Sequence, residues 1–180
     1  MKTHTAALFT TLAALTSSAF AQGAPDPRLP KEIQPMYAMV GEWKAQNAQG
    51  TFGGQKRKVE FTVSCAPTAG GFGILCHSKF DIEGMGRVEG TDLFGYDATQ
   101  NRYHWFAVTT RGDIHDHVAA PPSVKDRALK FVYSGTQDGK PLQEAIRMSL
   151  SADGSKIEFR NEGTVGGQQA WLLTATMVKK

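Results

Sequence analysis

The chain has 180 residues, with 20 Lys and Arg against 17 Asp and Glu and a formal net charge of +3. So small a charge, with no basic run beyond Lys56-Arg57-Lys58, argues against nucleic acid or another polyanion as a partner. No segment is apolar over the roughly 20 residues that a membrane-crossing helix needs.

Lys2, the apolar stretch Ala6 to Leu15 and the small-residue sequence Ala19-Phe20-Ala21 follow the order of a secretory signal peptide. Its apolar part is too short to span a bilayer. The expected organisation is a signal peptide over 1–21, an extended leader over 22–30 carrying Pro25, Pro27 and Pro30, and one domain over 31–180. Export to the periplasm or beyond is the localisation this implies. In such an oxidising compartment the chain's two cysteines, Cys65 and Cys76, read as a disulfide.

Ile33, Met36, Tyr37 and Val40 recur at three- and four-residue spacing, which predicts one short helix over Lys31 to Met39. Beyond Gly41 the pattern changes to period two. Val59, Phe61 and Val63 alternate with Glu60, Thr62 and Ser64, and Phe72 to Ile82 continues in extended form. Cys65 and Cys76 lie symmetrically about Gly70-Gly71, so a hairpin turning there sets the sulfurs side by side. Further strands are expected over Arg87 to Tyr96, Arg102 to Thr109, Ile114 to Ala119, Ala128 to Ser134, Leu142 to Leu150, Lys156 to Glu162 and Gln169 to Val178. Their links are too short for parallel crossovers. Nine or ten consecutive antiparallel strands protect their edges best by closing into an up-and-down barrel; the alternative is an open two-sheet sandwich.

Met39-Val40-Gly41-Glu42-Trp43, following a short helix and opening the first strand, resembles the G-x-W entry of the calycins, the lipocalin-like barrels. Phe94-Gly95-Tyr96-Asp97 ahead of Tyr103 and Trp105, and the closing strand Trp171 to Val178 with its terminal lysines, extend the likeness to bacterial calycin-like families of unknown function over residues 36–180. The resemblance implies that Trp43 plugs one end of the barrel, with Lys179 or Lys180 above it as a cation–π cap. Haem-carrying barrels of the nitrobindin group place a ligating histidine late in the chain. The last histidine here is His117, so no haem is expected, nor any other cofactor.

Two groups of side chains are candidates for a site. Tyr96, Tyr103, Trp105, Phe131 and Tyr133 are aromatic strand residues suited to the wall of a small-molecule pocket, and Arg147 is a candidate to meet an anionic head group. The bland alternative is a filled core with Arg147 outside. His115 and His117, two apart on one strand, share a face and can reach one metal ion, with His104 or His77 as third ligand. In the competing arrangement Ile114 and Val118 pack inward and the histidines are solvated. Glu83, Glu89 and Asp92 are expected on solvated faces. No nucleophile elbow, phosphate loop or metalloprotease motif occurs. The sequence therefore favours a non-catalytic barrel holding a small apolar or amphipathic ligand, with a metal site and a filled barrel acting through its surface as alternatives.

Overall fold

A computed structural model describes Leu29, residues 31–121 and residues 128–180; the expected signal segment and most of the leader lie outside these. Ten antiparallel strands follow one another around a closed barrel, each bonded to its sequence neighbours, with the first also paired to the last. They are β1 (Gly41–Phe52), β2 (Gln55–Thr68), β3 (Gly73–Ile82), β4 (Gly86–Asp97), β5 (Arg102–Thr109), β6 (Ile114–Ala119), β7 (Ala128–Gln137), β8 (Lys140–Leu150), β9 (Lys156–Val165) and β10 (Gln168–Lys179). Closure leaves no edge strand, which rules out the open sandwich. Among the described residues no helix is long and apolar enough to cross a membrane.

The period-two pattern gives this barrel an inside and an outside. Val59, Phe61 and Cys65 of β2, Ile74, Cys76 and Ser78 of β3, and Leu142, Ile146 and Met148 of β8 are buried, while Glu60, His77 and Arg147 between them are exposed. Tight turns match the expected punctuation. Asp138 (φ 50°) and Gly139 (φ 73°) both take the left-handed conformation, which suits the two-residue link between β7 and β8 to the twist of its strands.

Antiparallel order places the turns at Gly53-Gly54, Gly84-Met85, Arg111-Gly112, Asp138-Gly139 and Gly166-Gly167 at one end of the barrel. The opposite end is covered by the segment before β1. In place of the expected helix over Lys31 to Met39, only Gln34–Met39 is helical, as a 3₁₀ turn that begins with Pro35 in its first positions. Ile33, Met36 and Met39 of this segment are buried. It is tied down by Tyr103, whose hydroxyl donates to the Glu32 carbonyl, and by Tyr37, whose hydroxyl donates to the Gly71 carbonyl at 2.9 Å. Trp43 sits inside the same end, 2% exposed, with its Nε1–H donating to the Met39 carbonyl at 2.7 Å. Lys179 Nζ lies 5.6 Å from the Trp43 ring centroid.

Cys65 and Cys76 are register partners across β2 and β3 and form a disulfide, their Cα atoms 4.0 Å apart. It closes a loop of 11 residues, for which the chain-entropy relation gives about 3 kcal/mol. Replacing both cysteines by serine is expected to lower the unfolding free energy by about that amount, measured by urea denaturation in matched buffers. A loss below about 1 kcal/mol would show that the hairpin holds its register without the crosslink.

Candidate functional site

The barrel is hollow. A cavity of about 720 Å³ runs from the end covered by Trp43 and Met39 to the opposite end, where Gly53, Arg57, Met85, Arg111, Asp113 and Gln137 surround it. Its lower walls are apolar, from Phe61 and Phe80 stacked at 4.0 Å to Ile146, Phe159 and Leu173. One side is polar. There β4, β5, β6, β8 and β9 each direct a hydrogen-bonding side chain inward, namely Asp92, Trp105, His115 with His117, Glu144 and Asn161.

Two bonded clusters make up that side. In the first, the buried Asp92 accepts from Trp105 Nε1 at 2.8 Å and from Ser78 Oγ at 3.0 Å. Burial raises the Asp92 carboxyl above the ordinary range despite these two bonds and the charges of His117 and His77. In the second, Glu144 Oε2 lies 2.9 Å from His115 Nδ1 and 2.8 Å from His117 Nε2, while Glu144 Oε1 accepts from Asn161 Nδ2 at 3.0 Å. Burial pushes the Glu144 carboxyl up. The bonds from His115, His117 and Asn161, with the charge of His117, outweigh that and lower it to about 2.

Supporting side chains hold the second cluster from behind. Trp171 Nε1 donates to Asn161 Oδ1 at 2.7 Å, and its indole lies across Gly163, where a Cβ would come within 2.2 Å of the ring. Only glycine leaves room for that placement. Tyr133 stacks on His115, ring centroids 4.1 Å apart and planes 14° from parallel. His117 Nδ1 lies 3.4 Å from the Trp105 carbonyl.

The histidines of β6 therefore point inward together, with Ile114 58% exposed on the other face, the reverse of the arrangement in which Ile114 and Val118 fill the core. Neither His104 nor His77 joins them. His104 faces outward and pairs with Asp116 at 3.1 Å, and His77 is exposed beside Thr91. The third member is Glu144. Trp105 lines the cavity and Phe131 packs behind it, ring centroids 5.5 Å apart at 90°. Tyr96 and Tyr103 belong to the covered end, where Tyr96 bonds Asn101 at 2.7 Å. Arg147 lies on the outer surface, because its neighbours Ile146 and Met148 take the inward positions. The arginines that border the cavity are Arg57 and Arg111. Asp92, expected on a solvated face, is buried.

Residues 30–115 match a family model described as "Protein of unknown function (DUF1579)". The chain is similar in structure to Rv2717c from M. tuberculosis, with a TM-score of 0.61 and 15% identity, covering 84% of this chain and 99% of that one. At that identity the likeness bears on the fold alone. No curated protein matches the chain.

Proposed function

We propose that this protein is a calycin-like, non-catalytic carrier, exported after loss of residues 1–21, that holds a small amphipathic molecule inside its barrel. The observation that supports this reading is the cavity of about 720 Å³, within the range of roughly 300–1,000 Å³ common to small-molecule sites. Its aromatic and aliphatic walls suit an apolar body, and the Asp92 and Glu144 clusters offer a ligand's polar group partners on one side. Arg57 and Arg111 at the mouth favour a ligand with an anionic end. Arg57 is held there by donating Nη1 to the Glu83 carbonyl at 2.9 Å and Nη2 to Gln55 Oε1 at 2.6 Å, and its buried Nε alone has no acceptor among the described residues.

Ala107 lines the cavity beside His115, so a large side chain there occupies ligand space while leaving the strand pairing intact. The wild-type chain is expected to bind a polarity-sensitive apolar fluorophore at one per molecule, and Ala107→Trp to bind it at least about ten-fold more weakly with unchanged far-UV circular dichroism. Equal binding by the two would place the fluorophore outside the barrel and remove the support for an internal ligand.

A further inference from the structure

The 2.8 Å contact of His117 with Glu144 is satisfied by a proton on Nε2 or, with the proton on Nδ1, by a metal ion. If His117 carries its proton on Nδ1, directed at the Trp105 carbonyl 3.4 Å away, its Nε2 presents a lone pair. That lone pair faces the carboxylate oxygen Glu144 Oε2 at 2.8 Å. Two acceptors that close require a positive centre between them, a proton or a metal ion. His115 Nδ1 converges on the same oxygen from the other side, and the three ligand atoms all lie within 4.8 Å of one another.

We infer that His115, His117 and Glu144 form a divalent transition-metal site on the polar wall of the cavity, the carboxylate taking the place expected for His104. Four donors arranged tetrahedrally about an ion at roughly 2.0–2.1 Å stand about 3.3 Å apart. The two imidazole–carboxylate separations of 2.9 and 2.8 Å would open by about half an ångström, and the separation between the two imidazole nitrogens, within 4.8 Å, would adjust toward the same value by side-chain rotation. Imidazole donors select the class: zinc, cobalt or ferrous iron rather than calcium or magnesium, which take oxygen ligands.

The surroundings are those of a ligand-orienting shell. Metal-bound histidines commonly donate their second ring N–H to a backbone carbonyl, and their carboxylate partners are themselves hydrogen-bonded. Here the Trp105 carbonyl faces His117 Nδ1, Asn161 fixes Glu144 Oε1, and Trp171 fixes Asn161. Tyr133 holds the His115 ring by stacking. Three protein donors leave a coordination position open, and all three residues line the cavity, so that position faces the space where a small molecule would lie. The site goes beyond the carrier reading and does not depend on it.

The test uses the full chain, stripped with a chelator, titrated with Co²⁺ and followed by visible absorption and calorimetry. One Co²⁺ per molecule is expected, with ligand-field bands of a four- or five-coordinate nitrogen and oxygen site. His115→Ala and Glu144→Gln should each weaken binding at least about ten-fold, while His104→Ala, which removes the outward-facing histidine, should leave it unchanged. Absence of binding at millimolar Co²⁺, or binding that survives both His115→Ala and Glu144→Gln, overturns the inference. So does binding abolished by His104→Ala, which would assign the ion to the outer His104–Asp116 pair. The apolar fluorophore, run in parallel, confirms that His115→Ala is folded and separates the two readings. A chain that takes up fluorophore but no Co²⁺ overturns the metal site alone, and one that takes up Co²⁺ but no fluorophore overturns the carrier alone.

Discussion

Trp43→Ala is expected to destabilise the barrel by about 3–5 kcal/mol, the range for emptying a fully buried large aromatic site. Trp43 is 2% exposed and lies where β1 enters the barrel, beneath the 3₁₀ segment that covers this end. Three losses act together. The indole leaves a void among residues held by the closed sheet, the Met39 carbonyl loses the Nε1–H that satisfies it at 2.7 Å, and Lys179 loses the ring beneath its ammonium group. Urea denaturation should show a lower midpoint with little change in slope. The control is Phe72→Ala at the same end, where the ring is 55% exposed and a change within about 0.5 kcal/mol is expected. Similar costs for the two would mean that Trp43 is an ordinary wall residue and does not close the end of the barrel.

The second large effect belongs to Glu144. Glu144→Leu keeps roughly the side chain's volume but removes the acceptor shared by His115, His117 and Asn161. His117, itself 2% exposed, would then be buried facing a methyl group. Leaving buried hydrogen-bonding partners unsatisfied in this way costs about 1–3 kcal/mol for each, against about 1 kcal/mol for a routine substitution. The same residue sets a pH signature in metal-free buffer. Its folded-state carboxyl titrates at about 2, whereas in the unfolded chain a glutamate titrates at about 4.3. A group with a depressed folded value stabilises the protein above its unfolded value, and that contribution is lost as pH falls toward about 2. Asp92 acts in the opposite sense, because its raised folded value favours the native state as that carboxyl takes up a proton. Stability measured from pH 5 downward should therefore fall in wild type with a slope that Glu144→Leu reduces. An unchanged slope would assign acid sensitivity to the exposed carboxylates.

Much of the fold is legible in the chain because period two and turn chemistry are local. Val59, Phe61 and Val63 announce an inward face wherever β2 lies, and Asp138-Gly139 announces a two-residue hairpin without reference to any neighbour. The cysteine pairing is legible for the same reason, since positions 65 and 76 are equidistant from the turn between β2 and β3. The helix before β1 is only partly legible: its spacing marks the buried Ile33 and Met36, but Pro35 and six residues of length leave a 3₁₀ turn.

The site was half legible. Period two puts His115 and His117 on one face of β6 but does not say which face is the interior. Nor does it identify their partner, because Glu144 lies 27 residues beyond His117, with β7 between their strands. A usable signal exists all the same. Glu144 shares its parity with Leu142, Ile146 and Met148, so a lone acid on an otherwise apolar face marks a buried polar group, and Asp92 stands in the same relation to Val88 and Phe94. The same parity rule sends Arg147 outward, and it sends His104 outward once Tyr103 and Trp105 face in.

The most direct measurement of the central claim is native mass spectrometry of the chain purified from the cells that make it, followed by denaturing extraction. The expected result is a population carrying one additional small amphipathic molecule, released on unfolding and missing from Ala107→Trp. A single species at the mass of the bare polypeptide, together with failure of the hollow interior to take up any apolar probe, would contradict the account.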